Sequence, residues 1–145
     1  MKVDFRVANE KDLQGIIDLC NECFDEDTSI EYAKKIYNEN KNDPNQIYVV
    51  GVLDGKIIAH TKITIIPTIY EDMNTYAILN HVCVKPEYRR EHIGTKLLDL
   101  CFDIAKEHGC KCVELWSKNF RVAAHGLYYK YGFDVMDAKF FTKDI

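Results

Sequence analysis

Apolar and polar residues alternate from Val3 to Val7, which predicts a short strand, and the polar stretch Ala8 to Asp12 after it can start a helix. Leu13, Ile16, Ile17 and Cys20 then recur at helical spacing. A second helix is signalled by Thr28-Ser29-Ile30-Glu31, where the Thr28 hydroxyl and the Glu31 carboxylate can satisfy orphan amides in a capping box, and it runs to about Glu39. Asn38 to Gln46 is polar, contains Pro44 and reads as a loop into the strand Ile47 to Leu53. Asp54-Gly55 is a two-residue hairpin signal, with Lys56 to Ile66 returning as the partner strand. Past the loop Tyr70 to Asn74, the strand Thr75 to Val84 stops at Lys85-Pro86. Ile93, Leu97, Leu98, Cys101, Ile104 and Ala105 share a period near 3.6, so Ile93 to His108 is an amphipathic helix that Gly109 ends. Lys111 to Ser117 reads as a strand, Asn119 to Tyr131 as a helix ended by Gly132, and Phe133 to Phe141 as a final strand.

The order β-α-α-β-β-β-α-β-α-β implies an α/β (α+β) fold. An antiparallel hairpin region feeds a β-α-β crossover, giving a mixed, mostly antiparallel central sheet flanked by helices. With 145 residues, 47% of them hydrophobic and 29% charged, one domain over 1–145 is expected. Only 7 Gly and 3 Pro occur, and no low-complexity stretch suggests a linker.

The N-terminus lacks a signal pattern, and no apolar run approaches the roughly 18 residues of a membrane span, so a cytoplasmic protein with no membrane partner is expected. In that compartment the 6 cysteines read as buried thiols. Cys20-x-x-Cys23 and Cys110-x-Cys112 are poorly placed as four zinc ligands, the first pair lying in an amphipathic helix and the second having one-residue spacing on a strand, so no metal is expected. A net charge of −4 argues against nucleic acid and is compatible with a cationic substrate.

The segment Val82 to Thr95 carries the most specific chemistry. A strand stops at Pro86, the loop holds Arg89 and Arg90, and a helix begins near Gly94. Unpaired amides and the positive end of the dipole at a helix N-terminus attract anions, and Arg89 and Arg90 would add charge-assisted contacts to phosphate oxygens.

Here the sequence resembles the GNAT acetyltransferases, whose phosphate-binding loop reads Arg/Gln-x-x-Gly-x-Gly/Ala directly after a strand. The match is Arg89-Arg90-Glu91-His92-Ile93-Gly94, preceded by Val84-Lys85-Pro86-Glu87-Tyr88, with His92 standing where the family has its first glycine. Asn119, then Ala124, Tyr128, Gly132 and Phe133, match a second family stretch at the right separation.

The resemblance implies acetyl-CoA as co-substrate and a primary amine of a small molecule or peptide as acceptor. Pantetheine would pair with the backbone of Val82, Cys83 and Val84 where two strands part, and pyrophosphate would lie on the amides of Arg90, Glu91, His92, Ile93, Gly94 and Thr95. Tyr128 would be the general acid at the departing thiolate, and Asn119 would hydrogen-bond the pantetheine side. Asn80, His81, Asp25 and Glu26 would face the acceptor. Because Asn80 stands where relatives often carry a Glu base, His81, His60, Glu114 or an ordered water remain as candidate bases. The resemblance also implies a homodimer, for which the apolar end around Met136, Phe140 and Phe141 could serve, the alternative being that this end is core. A non-catalytic acyl-CoA-binding sensor is the alternative function, and transfer of a longer acyl chain or to a protein N-terminus is a third.

Overall fold

The computed structural model describes residues 1–145. In chain order it contains β1 (Asp4–Val7), a 3-10 turn (Glu10–Asp12), α1 (Leu13–Phe24), α2 (Ile30–Asn40), β2 (Gln46–Leu53), β3 (Lys56–Ile66), β4 (Tyr76–Val84), a second 3-10 turn (Pro86–Tyr88), α3 (Ile93–Glu107), β5 (Val113–Glu114) and α4 (Val122–Tyr131). The strands lie in the order β1-β2-β3-β4-β5. The first three pairings are antiparallel, and β4 with β5 is parallel. The mixed sheet expected from the element order is therefore present, and its connections follow from local chemistry. At the β2–β3 turn both Asp54 (φ 49°) and Gly55 (φ 78°) are left-handed, the backbone a two-residue hairpin requires.

Helices cover both faces of the sheet. On one face Leu97, Leu98, Cys101 and Ile104 of α3 pack on Val49, Ile58, Ile63 and Leu79 in the main core. On the other, Ile16, Leu19 and Cys20 of α1 pack on Val50 and Cys83. Adjacent Val49 and Val50 enter opposite clusters because successive strand side chains alternate faces.

The start of α1 is tied to the end of β1. Arg6 grips Asp12 through two hydrogen bonds, Nη1 to Oδ2 at 2.7 Å and Nη2 to Oδ1 at 3.0 Å, and Oδ2 also accepts the Asn9 amide at 2.8 Å. The Arg6 hydrogen bonds lower the Asp12 pKa, against an opposing effect of partial burial, with the Asn9 amide helping. The carboxylate contribution is then complete above the ordinary aspartate value of about 3.9 and is lost as pH falls through the depressed folded value. Urea unfolding should show the stability gap between wild type and Asp12→Asn narrowing on acidification below about pH 4; a gap independent of pH would contradict the assignment.

Four elements differ from expectation. α2 is capped by Ser29, whose side chain accepts the Tyr32 amide, and not by Thr28, whose backbone N–H and C=O are held by the Asn21 side chain. α4 begins at Val122, leaving Asn119 in the preceding turn. β5 is two residues long because its pairing with β4 ends at Ile78 and Glu114. Phe133 to Phe141 forms no strand: so short an edge offers little to pair with, Asp134 and Asp137 disfavour extended pairing, and Phe140 instead stacks on Trp116 with ring centroids 4.3 Å apart.

Candidate active site

Two irregularities of the sheet build the site. Beyond Ile78 and Glu114 the strands β4 and β5 no longer pair, while β4 continues along β3 as far as Val84. Within that continuation His60 pairs with Cys83 and Lys62 with Asn80, so His81 and Val82 together oppose Thr61, which is a β-bulge. His81 takes φ 56°, and the Thr61 hydroxyl donates to the Asn80 carbonyl at 2.7 Å, fixing the bulge from the neighbouring strand. The extra residue reverses the alternation of β4. Ala77 and Leu79 face the α3 core, but Cys83 turns to α1, while Val82 and Val84 pack against the main core.

The bulge presents His81 outward. Its Nε2–H donates to the Glu26 carboxylate, 3.1 Å from each oxygen, and its ring meets Phe24 edge-on at 4.7 Å. The Phe24 ring also lies under the Arg121 guanidinium, 4.6 Å from the ring centroid. Two expected acceptor-side residues, His81 and Glu26, are thus brought together from β4 and the loop after α1. Asp25 closes α1 in a left-handed conformation and is exposed; Asn80 is half-buried beside the bulge. Phe24 and Arg121 were not marked by the pattern, because a Phe closing an amphipathic helix reads as core and a cation–π contact has no sequence spacing.

His60 is tied into the sheet. It is buried, its Nδ1–H donates to the Val49 carbonyl at 2.9 Å, and burial pushes its pKa down to about 4, so it is a neutral part of the sheet. Glu114 is exposed at the last paired position of β5.

The β4–α3 loop curls through two left-handed residues, Arg90 (φ 70°) and His92 (φ 60°), before α3 starts. His92 occupies the N-cap position and makes no side-chain cap, so the first amides of α3, from Ile93, Gly94 and Thr95, are available to an anion. Glycine at 94 has a packing cause: a Cβ there would lie 2.7 Å from Leu127 Cδ2, so α3 and α4 approach closely at this point. Arg90, Glu91 and His92 are exposed. Arg89 is exposed as well, and its guanidinium is held within the protein, Nε donating to the Val84 carbonyl at 3.1 Å and Nη2 lying 4.0 Å from the Cys23 sulfur. Carrying a side chain at φ 60° makes His92→Gly an informative change. It should stabilise the fold by about 0.5 kcal/mol, roughly 2 °C in Tm, glycine's extra freedom in the unfolded chain offsetting part of the relief. A lower Tm would show the His92 side chain to be an anchor.

Tyr128 is buried, 9% exposed, and its ring packs edge-on against Phe133 at 5.8 Å. Its hydroxyl makes no hydrogen bond inside the protein and is not fully enclosed, since every fully buried side-chain nitrogen and oxygen has a partner. Burial first, and then the neighbouring Cys83, push its pKa up to about 12 against the opposing pull of Arg121. The phenol is therefore protonated throughout the physiological range. Asn119 is exposed in the turn before α4. No group of three or more His, Cys, Asp or Glu side chains is arranged to hold a metal ion, and no helix is long and apolar enough to cross a membrane.

Among known proteins, a chain named probable N-acetyltransferase camello from Xenopus tropicalis is 32% identical over 89 residues, 61% of this chain and 39% of that protein. The chain therefore spans about two-fifths of that relative's length. Solved structures share the fold: a transcriptional regulator from Bacillus halodurans superimposes with a TM-score of 0.88 at 22% identity, covering 99% of this chain and 100% of that one. An aminoglycoside N-acetyltransferase in complex with CoA gives 0.86 at 14% identity, covering 99% and 95%. The model of the acetyltransferase (GNAT) family matches residues 13–133, which takes in the parted strands, the β4–α3 loop and Tyr128, and the chain belongs to that family.

Proposed function

We propose that this protein transfers an acetyl group from acetyl-CoA to a primary amine of a small molecule or peptide by direct attack. The observation that carries the reading is the parting of β4 from β5 beyond Ile78 and Glu114, with a bulge on one side and the unpaired Tyr128 hydroxyl nearby. The residues suit the donor: the open edge of β4 at Val82 to Val84 can take an added extended segment, and the uncapped start of α3 with exposed Arg90 suits a pyrophosphate. When bound, acetyl-CoA supplies an activated thioester carbonyl and a thiolate leaving group.

The chain's own groups divide the remaining work. His81, oriented by Glu26, accepts the proton of the incoming amine at Nδ1, since Nε2–H is committed to the carboxylate. The backbone amide at the bulge is the group available to polarise the carbonyl oxygen. Tyr128 Oη gives its proton to the departing sulfur. The exposed Asp25 and Glu26 favour a cationic acceptor.

The test is calorimetric titration with acetyl-CoA, followed by thiol release over a panel of amines in the same samples. Binding with thiol release for at least one amine is expected, as is weaker binding in Arg90→Ala. Binding without release for any amine would favour the acyl-CoA sensor over the enzyme, and absence of binding would end the donor assignment.

A further inference from the structure

Three thiols meet between α1 and β4. Cys20 and Cys23 come from the last two turns of α1, one helical turn apart, and Cys83 comes from β4, directed to that face by the bulge. Cys20 and Cys83 are 6% exposed, while Cys23 is half-buried and open to small reagents. The Cys23 thiol points at the Val84 carbonyl, 3.7 Å away, beside the Arg89 guanidinium at 4.0 Å, and Cys83 donates to the His60 carbonyl at 3.7 Å. The other charge near Cys23 is Glu22, which is partly neutralised by Lys85 at 3.2 Å.

We propose that Cys23 is a peroxide-reactive thiolate, and that Cys23 and Cys83 form an oxidisable dithiol set against Arg89 of the β4–α3 loop. The electrostatics agree with the geometry. The neighbouring Cys83 thiol, once its S–H turns from the His60 carbonyl to Cys23, and then the Arg89 charge and hydrogen bond bring the Cys23 pKa down to about 7 despite partial burial and Glu22. Cys83 shifts the opposite way, raised by its two sulfur neighbours and by burial, so it remains a thiol and is not the first to react. Cys101 and Cys110 are also raised by burial, as is Cys112, which is the exposed one.

The chemistry balances in two steps. The Cys23 thiolate attacks hydrogen peroxide, forming an S–O bond and breaking the O–O bond, and gives the sulfenic acid and hydroxide. The Cys83 sulfur then attacks the sulfenic sulfur, the S–O bond breaks, and the departing hydroxide takes the Cys83 proton to form water and a disulfide. Cys23 and Cys83 are each oxidised by one electron in the net reaction, and peroxide is reduced to two waters once the hydroxide of the first step takes up the proton that Cys23 released on ionising. An added dithiol reverses it. Since no donor takes part, this assignment and the acetyltransferase reading stand or fall separately.

Peptide mapping of the full chain decides the matter. At pH 7 under limiting iodoacetamide, Cys23 should be alkylated about fivefold faster than the more exposed Cys112, and Arg89→Ala should remove most of that advantage. Peroxide should then produce one crosslinked species lacking two hydrogens and joining Cys23 to Cys83, with Cys23→Ser protecting Cys83 from oxidation. Faster alkylation at Cys112, a disulfide joining Cys20 to either neighbour, or over-oxidation of Cys23 without crosslinking would overturn the proposal. Acetyl-CoA binding measured in the reduced protein bears only on the function proposed above.

Discussion

Replacing Tyr128 by Phe should lower kcat by about 10²- to 10³-fold with any accepted amine, the range of a lost general acid, while leaving donor affinity near wild type. The fold should tolerate the change within about 1 kcal/mol, because the hydroxyl satisfies no protein group and the ring contact with Phe133 persists. Since burial lifts the Tyr128 pKa to about 12, the phenol is protonated at every working pH. Its titration cannot therefore produce a fall in rate below that value. A Tyr128→Phe enzyme with wild-type kcat would transfer the protonation of the leaving sulfur to solvent and remove Tyr128 from the chemistry.

The second large effect is expected at the bulge. His81→Asn should reduce kcat/KM by about 100-fold, and Asn is the informative replacement because it tolerates the left-handed backbone that His81 adopts at φ 56°. Strain and loss of the imidazole are thereby separated. Glu26→Gln should cost less, about tenfold, since the amide oxygen can still accept from Nε2–H while the charge that supports an imidazolium is gone. Neither change touches the β4–α3 loop, so calorimetric donor affinity should be retained in both. Wild-type rates in both variants would place the base elsewhere, and a fall for Glu26→Gln in KM alone would make Glu26 an acceptor contact.

Much of this architecture is written locally. The hairpin at Asp54-Gly55, the α3 period from Ile93 to Ala105 and the run from Val84 through Gly94 each depend on neighbours within a few residues, so pattern and turn chemistry reveal them. The same holds for Tyr128, placed by a motif whose Ala, Tyr, Gly and Phe share one helix and its end. Thr28 and the final segment misled because each rested on a single local signal. The Asn21 side chain claimed Thr28 from the end of α1, and the short β5 left Phe133 to Phe141 without a strand to join.

The sequence by itself determined the element order from β1 to α4 and the helices flanking the sheet, because those follow from periodicity, caps and breakers along one chain. Tertiary structure alone decided that Thr61 pins a bulge in β4, and that the bulge sends His81 out to Glu26 and turns Cys83 toward Cys23. It also decided that Arg89 is moored to Val84 and Cys23. Their physical reason is common: a register shift between strands reverses which face each later side chain meets, and that shift depends on the partner strand, which no window of the chain contains.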